Sequence, residues 1–217
     1  MFEQLQGLFK DKREIFDLRT LDDPVALKTR WGPLVRSGYN FCSHRLLSSK
    51  GRKQMQVTPI AHLCCLFCIG VGVLFSGFMM KEINDPSTVS VVETENMPIW
   101  MFHIAPLSLS VFGIVLLWRL YRKNVLFDKK KGTFARSRRR LLLNEVHAIQ
   151  LVSEYCTGGN SSYESYEMNL ILKSGERFNV TDHSSLGAIQ VDAKMLAEYL
   201  GIPVWDVIGY QIKADML

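Results

Sequence analysis

The sequence predicts an α+β membrane protein: a two-helix transmembrane hairpin plus a cytoplasmic antiparallel β domain closed by a C-terminal amphipathic helix. Two uncharged runs are each long enough to cross a bilayer. Lys and Arg crowd the outer flanks of those runs, while the loop between them is acidic. Beyond the second run the apolar period becomes two and then, near the C-terminus, helical.

The first run, residues 57–80, reads VTPIAHLCCLFCIGVGVLFSGFMM and contains no charge. A span needs about 20 apolar residues to cross a core of roughly 30 Å, so the run suffices. Pro59 belongs in its first turn, where a missing N–H costs nothing. The second span covers residues 98–118. Pro98 opens it, Pro106 inside it predicts a kink, and Trp100 and Trp118 stand near its ends as interfacial anchors. Gly72 and Ser76, four residues apart, and Gly113 on the other helix are the candidates for close helix packing.

Charge sets the orientation. Residues 1–56 hold eleven Lys and Arg against six acids, and the loop 81–97 holds Lys81 against Glu82, Asp85, Glu93 and Glu95. After the second span come ten basic residues, Arg119 to Arg140, against Asp128 alone. Both basic flanks therefore belong inside and the acidic loop outside. The expected localisation is the inner (plasma) membrane of a bacterium, multi-pass, with both termini cytoplasmic. The formal net charge of +5 is explained by topology, and nucleic acid is not an expected partner. Five cysteines, three of them inside the first span, form no secreted disulfide framework, and the charged opening MFEQLQGLFKDKREIFDL is not a cleavable signal peptide.

Residues 1–56 read as three pieces. An amphipathic helix carries Phe2, Leu5, Leu8, Phe9, Ile15 and Phe16 on one side, and either lies on the membrane surface or packs on the C-terminal domain. A short helix runs from Asp23 (cap) and Pro24 to about Trp31, stopped by Gly32-Pro33. Residues 40–47 and 53–57 then form a hairpin turned at Ser48-Ser49-Lys50-Gly51.

The domain from 119 to 217 opens with a hairpin, 124–128 and 133–136, turned at 129–132. A long strand covers 145–155, Thr157-Gly158-Gly159-Asn160 is the next turn, and the polar, Tyr-rich stretch around it, YCTGGNSSYESY (155–166), is a turn region. In 166–173, Tyr166, Met168, Leu170 and Leu172 alternate with Glu167, Asn169, Ile171 and Lys173, the pattern of a half-buried antiparallel strand. Ser174-Gly175 turns into 176–181, where Phe178 and Val180 share a face. A helix from about Ser185 to Leu200 has the stripe Ile189, Ala193, Leu196 and Leu200, with Gly201 as its cap and Pro203 as its stop.

Val125-Leu126-Phe127-Asp128, Gly132-Thr133-Phe134, the strands around Ile149 and Leu170, and the helix ending at Leu200 give this region an order of elements. Over roughly 119–205 it resembles the pleckstrin-homology-like domains of bacterial membrane proteins, in which a two-span hairpin precedes the domain. That resemblance implies seven strands. About five are legible here, and the hairpin at 40–57 is the candidate for the remainder.

Chemistry is sparse. His62, Cys65 and Cys68 share a drifting helix face but lack a fourth ligand, so packing is the expected role of the cysteines. His62 and His103 lie near opposite ends of their spans and are not expected to pair. Asp182-His183-Ser184 stands where a strand meets a helix and is expected to supply a cap rather than a triad. No catalytic residue, metal or cofactor is expected. The expected contact residues for lipid or protein are Lys129, Lys130, Lys131, Arg136, Arg138, Arg139 and Arg140, with Tyr155, Tyr163 and Tyr166. The expected function is non-enzymatic: the β domain binds a protein partner or the anionic leaflet, and a second copy of the chain is an admissible partner. The alternative is an immunity protein against a membrane-acting, pore-forming toxin. A membrane-bound thiol or hydrolytic enzyme ranks third.

Overall fold

The computed structural model describes residues 13–36, 38–49, 51–83, 101–137, 139–158 and 161–212. It is α+β, with antiparallel sheets and two long apolar helices, and it divides into two compact units. One unit is Met1–Met55 with Val125–Leu217, and the other is Gln56–Asn124.

In the first unit, residues 1–12 of the expected amphipathic helix lie outside the described residues. Its end is a correction: Glu14–Phe16 is a strand, β1, paired in parallel with a late strand at Tyr210–Ile212. Ile15 and Phe16 are good strand formers, and the Phe16 ring packs on Tyr210 with centroids 5.4 Å apart. After a 3-10 turn at Leu18–Leu21, helix α1 spans Pro24–Lys28. The Asp23 carboxylate accepts the Val25 N–H at 2.8 Å and Pro24 sits in the first turn. The helix stops three residues short of Trp31 because Thr29 is extended. Trp31 turns inward instead, its indole N–H donating to the Ala26 carbonyl at 2.9 Å.

Strands β2 (His44–Ser49) and β3 (Arg52–Val57) form the expected hairpin, turned where Gly51 adopts φ +77°. They join β4 (Val125–Asp128), β5 (Thr133–Arg136) and β6 (Arg139–Leu142) in a five-stranded meander ordered β2-β3-β4-β5-β6. The segment before the first long helix therefore completes the sheet that the segment after the second one begins. β3 and β4 are antiparallel neighbours from Arg52↔Asp128 to Met55↔Val125, so the helical unit is inserted between adjacent strands of one sheet.

A second sheet, β10-β7-β8-β9, is built on two long strands, β7 (Val146–Gly158) and β8 (Ser161–Leu172). β9 (Arg177–His183) pairs with β8, and β10 (Val204–Asp206) runs parallel to β7. The connection falls within the expected 157–160 turn, but the wider region 155–166 is a correction, since β7 and β8 stay paired up to Gly158↔Ser161. Only Gly159 and Asn160, outside the described residues, connect them. Helix α2 (Leu186–Leu200) follows and ends at Gly201 with φ +77°. Tyr210–Ile212 is β11.

The main core lies between the inner faces of the two sheets and α2. Met55, Val125, Phe127 and Phe134 come from the first sheet, Ile149, Leu151, Met168 and Leu170 from the second, and Ile189, Ala193 and Leu196 from the helix. Burying each such aliphatic or aromatic side chain stabilises the fold by about 1.5–3 kcal/mol. The other face of the second sheet was expected to meet water, and this is a further correction. Leu18, Ala26 and Trp31 pack there on Ala148, Val152, Ile171, Trp205 and Val207, with the Trp31 and Trp205 rings 5.7 Å apart. The alternation along β8 therefore separates two buried faces.

The second unit contains helices Pro59–Ile83 and Met101–Arg122, here termed H1 and H2. Lys81 and Glu82, expected in the acidic loop, belong to the last turn of H1, and residues 84–100, with the rest of that loop and Trp100, lie outside the described residues. H2 continues through Pro106 and runs four residues past Trp118. The helices are antiparallel: His62 meets Tyr121, Gly113 meets Cys65 and Ile69, and Gly72 meets Ser110 and Pro106. A Cβ on Gly72 would lie 2.4 Å from the Pro106 carbonyl oxygen, and one on Gly113 would lie 2.9 Å from that of Cys65. Glycine thus sets the helix separation at both contacts. Ser110 Oγ donates across the seam to the Ile69 carbonyl at 3.2 Å. Ser76 Oγ is enclosed and has no partner among the described residues.

Candidate binding surfaces

The basic stretch does not form one patch. The strand register Val125↔Arg136 and Asp128↔Thr133 sends the turn 129–131 to one end of the sheet and the turn 137–139 to the other. At about 3.4 Å per residue the two turns are separated by roughly 10 Å or more. At the first end, Tyr199 ties two turns together: its hydroxyl donates to the Gly51 carbonyl and accepts the Lys129 N–H, both at 3.0 Å. The Lys129 ammonium stands 5.1 Å from the Tyr199 ring centre. Lys130 and Lys131 are exposed, and the Lys131 backbone N–H donates to Asp128. Asp128 is itself paired with Arg52 at 2.8 Å.

At the other end Arg136 turns inward. Its guanidinium donates to the Asn179 carbonyl at 2.6 Å and lies 5.8 Å from the Phe178 ring centre. Burial lowers its pKa, while the nearby Asp182 and Tyr39 charges oppose that shift. Arg136 therefore fastens β5 to β9 instead of presenting a free charge. Arg139 and Arg140 are exposed on β6, an edge strand, with no ion-pair partner among the described residues. Charge on an edge strand also blocks edge-to-edge association. Arg138 lies outside the described residues.

The three tyrosines separate as well. Tyr155 is 66% exposed and donates to Ser162 Oγ. Tyr163 donates to the Gly38 carbonyl at 2.7 Å, and Tyr166 is buried with its hydroxyl on Glu164. Burial raises the pKa of both Tyr163 and Tyr166. Only Tyr155 is therefore available as a contact surface.

The sequence reading missed a polar cluster beneath residues 30–35. That segment has no strand partner, so side chains satisfy its backbone. The Glu167 carboxylate accepts the N–H groups of Leu34 (3.0 Å) and Val35 (2.8 Å), and the Asn169 side-chain amide donates to the same oxygen as Leu34. Gln150 donates to the Arg30 carbonyl at 3.0 Å, and Arg177 donates to the carbonyls of Arg30 and Gly32 at 2.7 and 2.6 Å. Glu167, Gln150 and Asn169 are all buried. A polar residue on a strand satisfies irregular chain as well as it meets water, so periodicity alone does not distinguish the two cases.

Asp182, His183 and Ser184 do not form a triad. Asp182 accepts the Tyr39 N–H and Ser184 Oγ donates to the Asn40 carbonyl. Neither caps α2, a correction to the cap expected from the sequence. The His183 Nδ1 accepts the Ser185 N–H at 3.2 Å instead, in a fully buried site. Burial pushes the His183 pKa down to about 4. Burial also raises the Cys42 and Cys156 thiols, which keeps them protonated and poorly nucleophilic. His62 is bonded to the Tyr121 hydroxyl, a partner hidden from the sequence reading because the helix was ended at Trp118. The His103 side chain lies outside the described residues. Among the described residues no group of three or more His, Cys, Asp or Glu is placed to hold a metal ion.

Compared with known proteins, the chain matches no family model and no curated sequence.

Proposed function

We propose that the chain is an integral protein of a bacterial inner membrane, with H1 and H2 spanning the bilayer and both termini cytoplasmic. Its β domain is a PH-like binding module that contacts the anionic cytoplasmic leaflet, and no catalytic role is assigned. One observation carries the membrane reading. H1 and H2 are long and apolar enough to cross, yet only 11% and 22% of their apolar windows are buried. Leu63, Phe67, Leu74, Phe78, Leu107 and Phe112 all point outward and are more than half exposed. Such all-round apolarity belongs in hydrocarbon. The PH-like reading rests on a strand meander and a second antiparallel sheet closed by α2.

The leaflet reading rests on register. One residue separates β3 from H1 and two separate H2 from β4, so the sheet is tethered at its Val125 end. The free charges of Arg139 and Arg140 lie at that end. Each is worth about 1 kcal/mol near an anionic surface, and the effect fades within a Debye length of about 8–10 Å. Lys130 and Lys131, at the far end, contribute less.

The test is amide hydrogen exchange on the full chain in nanodiscs. Residues 133–142 should exchange more slowly with phosphatidylglycerol present than with phosphatidylcholine alone. Arg139→Gln with Arg140→Gln should abolish the difference, and Lys130→Gln with Lys131→Gln should leave it. Exchange indifferent to lipid charge would overturn the leaflet contact. A stoichiometric co-purifying protein, a toxin included, would move the function to partner binding.

A further inference from the structure

A second basic site lies elsewhere in the β domain. An open cleft of about 660 Å³ is lined by Lys28, Arg30, Gly175, Glu176 and Arg177, with Trp31 beneath and Pro33 and Leu34 on one wall. Its walls are fixed. Trp31 is anchored on Ala26 and Trp205, and Arg177 holds two carbonyls of the 30–32 segment and Gln150. The 174–175 turn packs against Lys28, since a Cβ on Gly175 would meet Lys28 Cβ at 3.6 Å. Gly175 is at φ +88°, a conformation that favours glycine.

Charge in this cleft is unbalanced. Arg30 and Lys28 are exposed and make no ion pair among the described residues, and Arg30 acts as a like charge on Arg177. Glu167 is the acid that acts on Arg177, but its carboxylate already accepts Leu34, Val35 and Asn169. Against Glu176 and Glu167 the three cations leave a net positive charge, with Lys28 and Arg30 the cations that no acid pairs among the described residues.

We propose that this cleft binds a phosphomonoester. A phosphomonoester carries close to two negative charges at pH 7 and offers three acceptor oxygens, which gives the exposed Lys28 and Arg30 an anion to pair with and acceptors for their donors. Guanidinium forks suit such an anion geometrically. Inorganic phosphate alone would leave most of the cleft empty, so the rest of the ligand lies toward Pro33 and Leu34. The ester is either a soluble phosphorylated molecule or the headgroup of a lipid such as phosphatidic acid. The site is independent of the leaflet contact of Arg139 and Arg140.

The test is calorimetric titration of the full chain in uncharged micelles with glycerol phosphate at constant ionic strength, repeated in nanodiscs with and without phosphatidic acid. Saturable binding is expected in at least one arm. Arg30→Gln and Lys28→Gln should each weaken it about tenfold, the loss of one charge-assisted contact. Both side chains are exposed, so these variants should melt like the parent, whereas Arg177 holds the fold and is left unchanged. Arg139→Gln should bind glycerol phosphate normally, which separates this site from the leaflet contact. Binding of glycerol phosphate identifies a soluble ester, and binding confined to phosphatidic acid identifies the headgroup. No saturable binding in either arm, or binding undiminished in Arg30→Gln and Lys28→Gln, would overturn the proposal.

Discussion

His183 shows how one enclosed side chain shapes the whole pH response. Its Nδ1 accepts the Ser185 N–H, so the proton sits on Nε2, which finds no partner among the described residues. Asp182 pulls its pKa up, and Arg45 and His44 push it down, but burial dominates and holds it at about 4. Unfolded histidine titrates near 6.5. Above that pH the ring is neutral in both states and contributes nothing. As pH falls from about 6.5 to 4, the unfolded chain takes up a proton that the folded chain refuses, and stability drops by about 3 kcal/mol. Asp192, whose carboxyl burial raises, acts in the opposite sense as pH falls. His183→Asn keeps an acceptor for Ser185 and removes the titration. Chemical unfolding of the full chain in micelles should therefore show a flatter stability–pH curve for this variant between pH 6.5 and 4. Parallel curves would contradict the assignment.

At the scale of elements, the notable feature is a helical insertion in a meander. β3 and β4 are paired with Arg52↔Asp128 and Met55↔Val125. Continuing that register brings Val57 opposite Lys123. Replacing residues 58–122 with Asn-Gly closes a two-residue hairpin of the favoured kind without a register slip. The shortened chain should be soluble and should unfold cooperatively, as read by circular dichroism. A fragment beginning at residue 124 lacks β2, β3 and the cover of Trp31 and should stay unfolded. Aggregation of the first protein, or a folded second one, would contradict this architecture.

The same elements show what a sequence reveals. The two apolar runs, the hairpins at 44–57 and 125–136 and the stripe of α2 were legible because each has a local period. β1, β10 and β11 were not, since three-residue strands that pair in parallel over long range leave no periodic trace. The cover over β8 was hidden because Glu167 and Asn169 read as solvent-facing residues. The cleft followed it out of sight, since Arg177 gains its position only from the carbonyls of Arg30 and Gly32. Of the contact residues read from the sequence, Arg136 and Tyr163 are drawn into the fold by backbone carbonyls and Tyr166 by burial beside the Glu164 carboxylate, because a strong donor enclosed by the fold is used there first.

For the whole molecule, the β domain is assembled from both flanks of an apolar helical hairpin, so in the proposed membrane topology it folds only when both flanks share one side. The acidic loop 81–97 must then face the opposite side. Site-directed labelling in sealed, right-side-out membrane vesicles tests this most directly. It would use the full chain with its native cysteines replaced and a single new one, Ser87→Cys or Lys130→Cys. An impermeant maleimide should label position 87 in intact vesicles and position 130 only after permeabilisation, with both proteins resisting carbonate extraction. Labelling of position 130 in intact vesicles, or release of the protein by carbonate, would contradict the account.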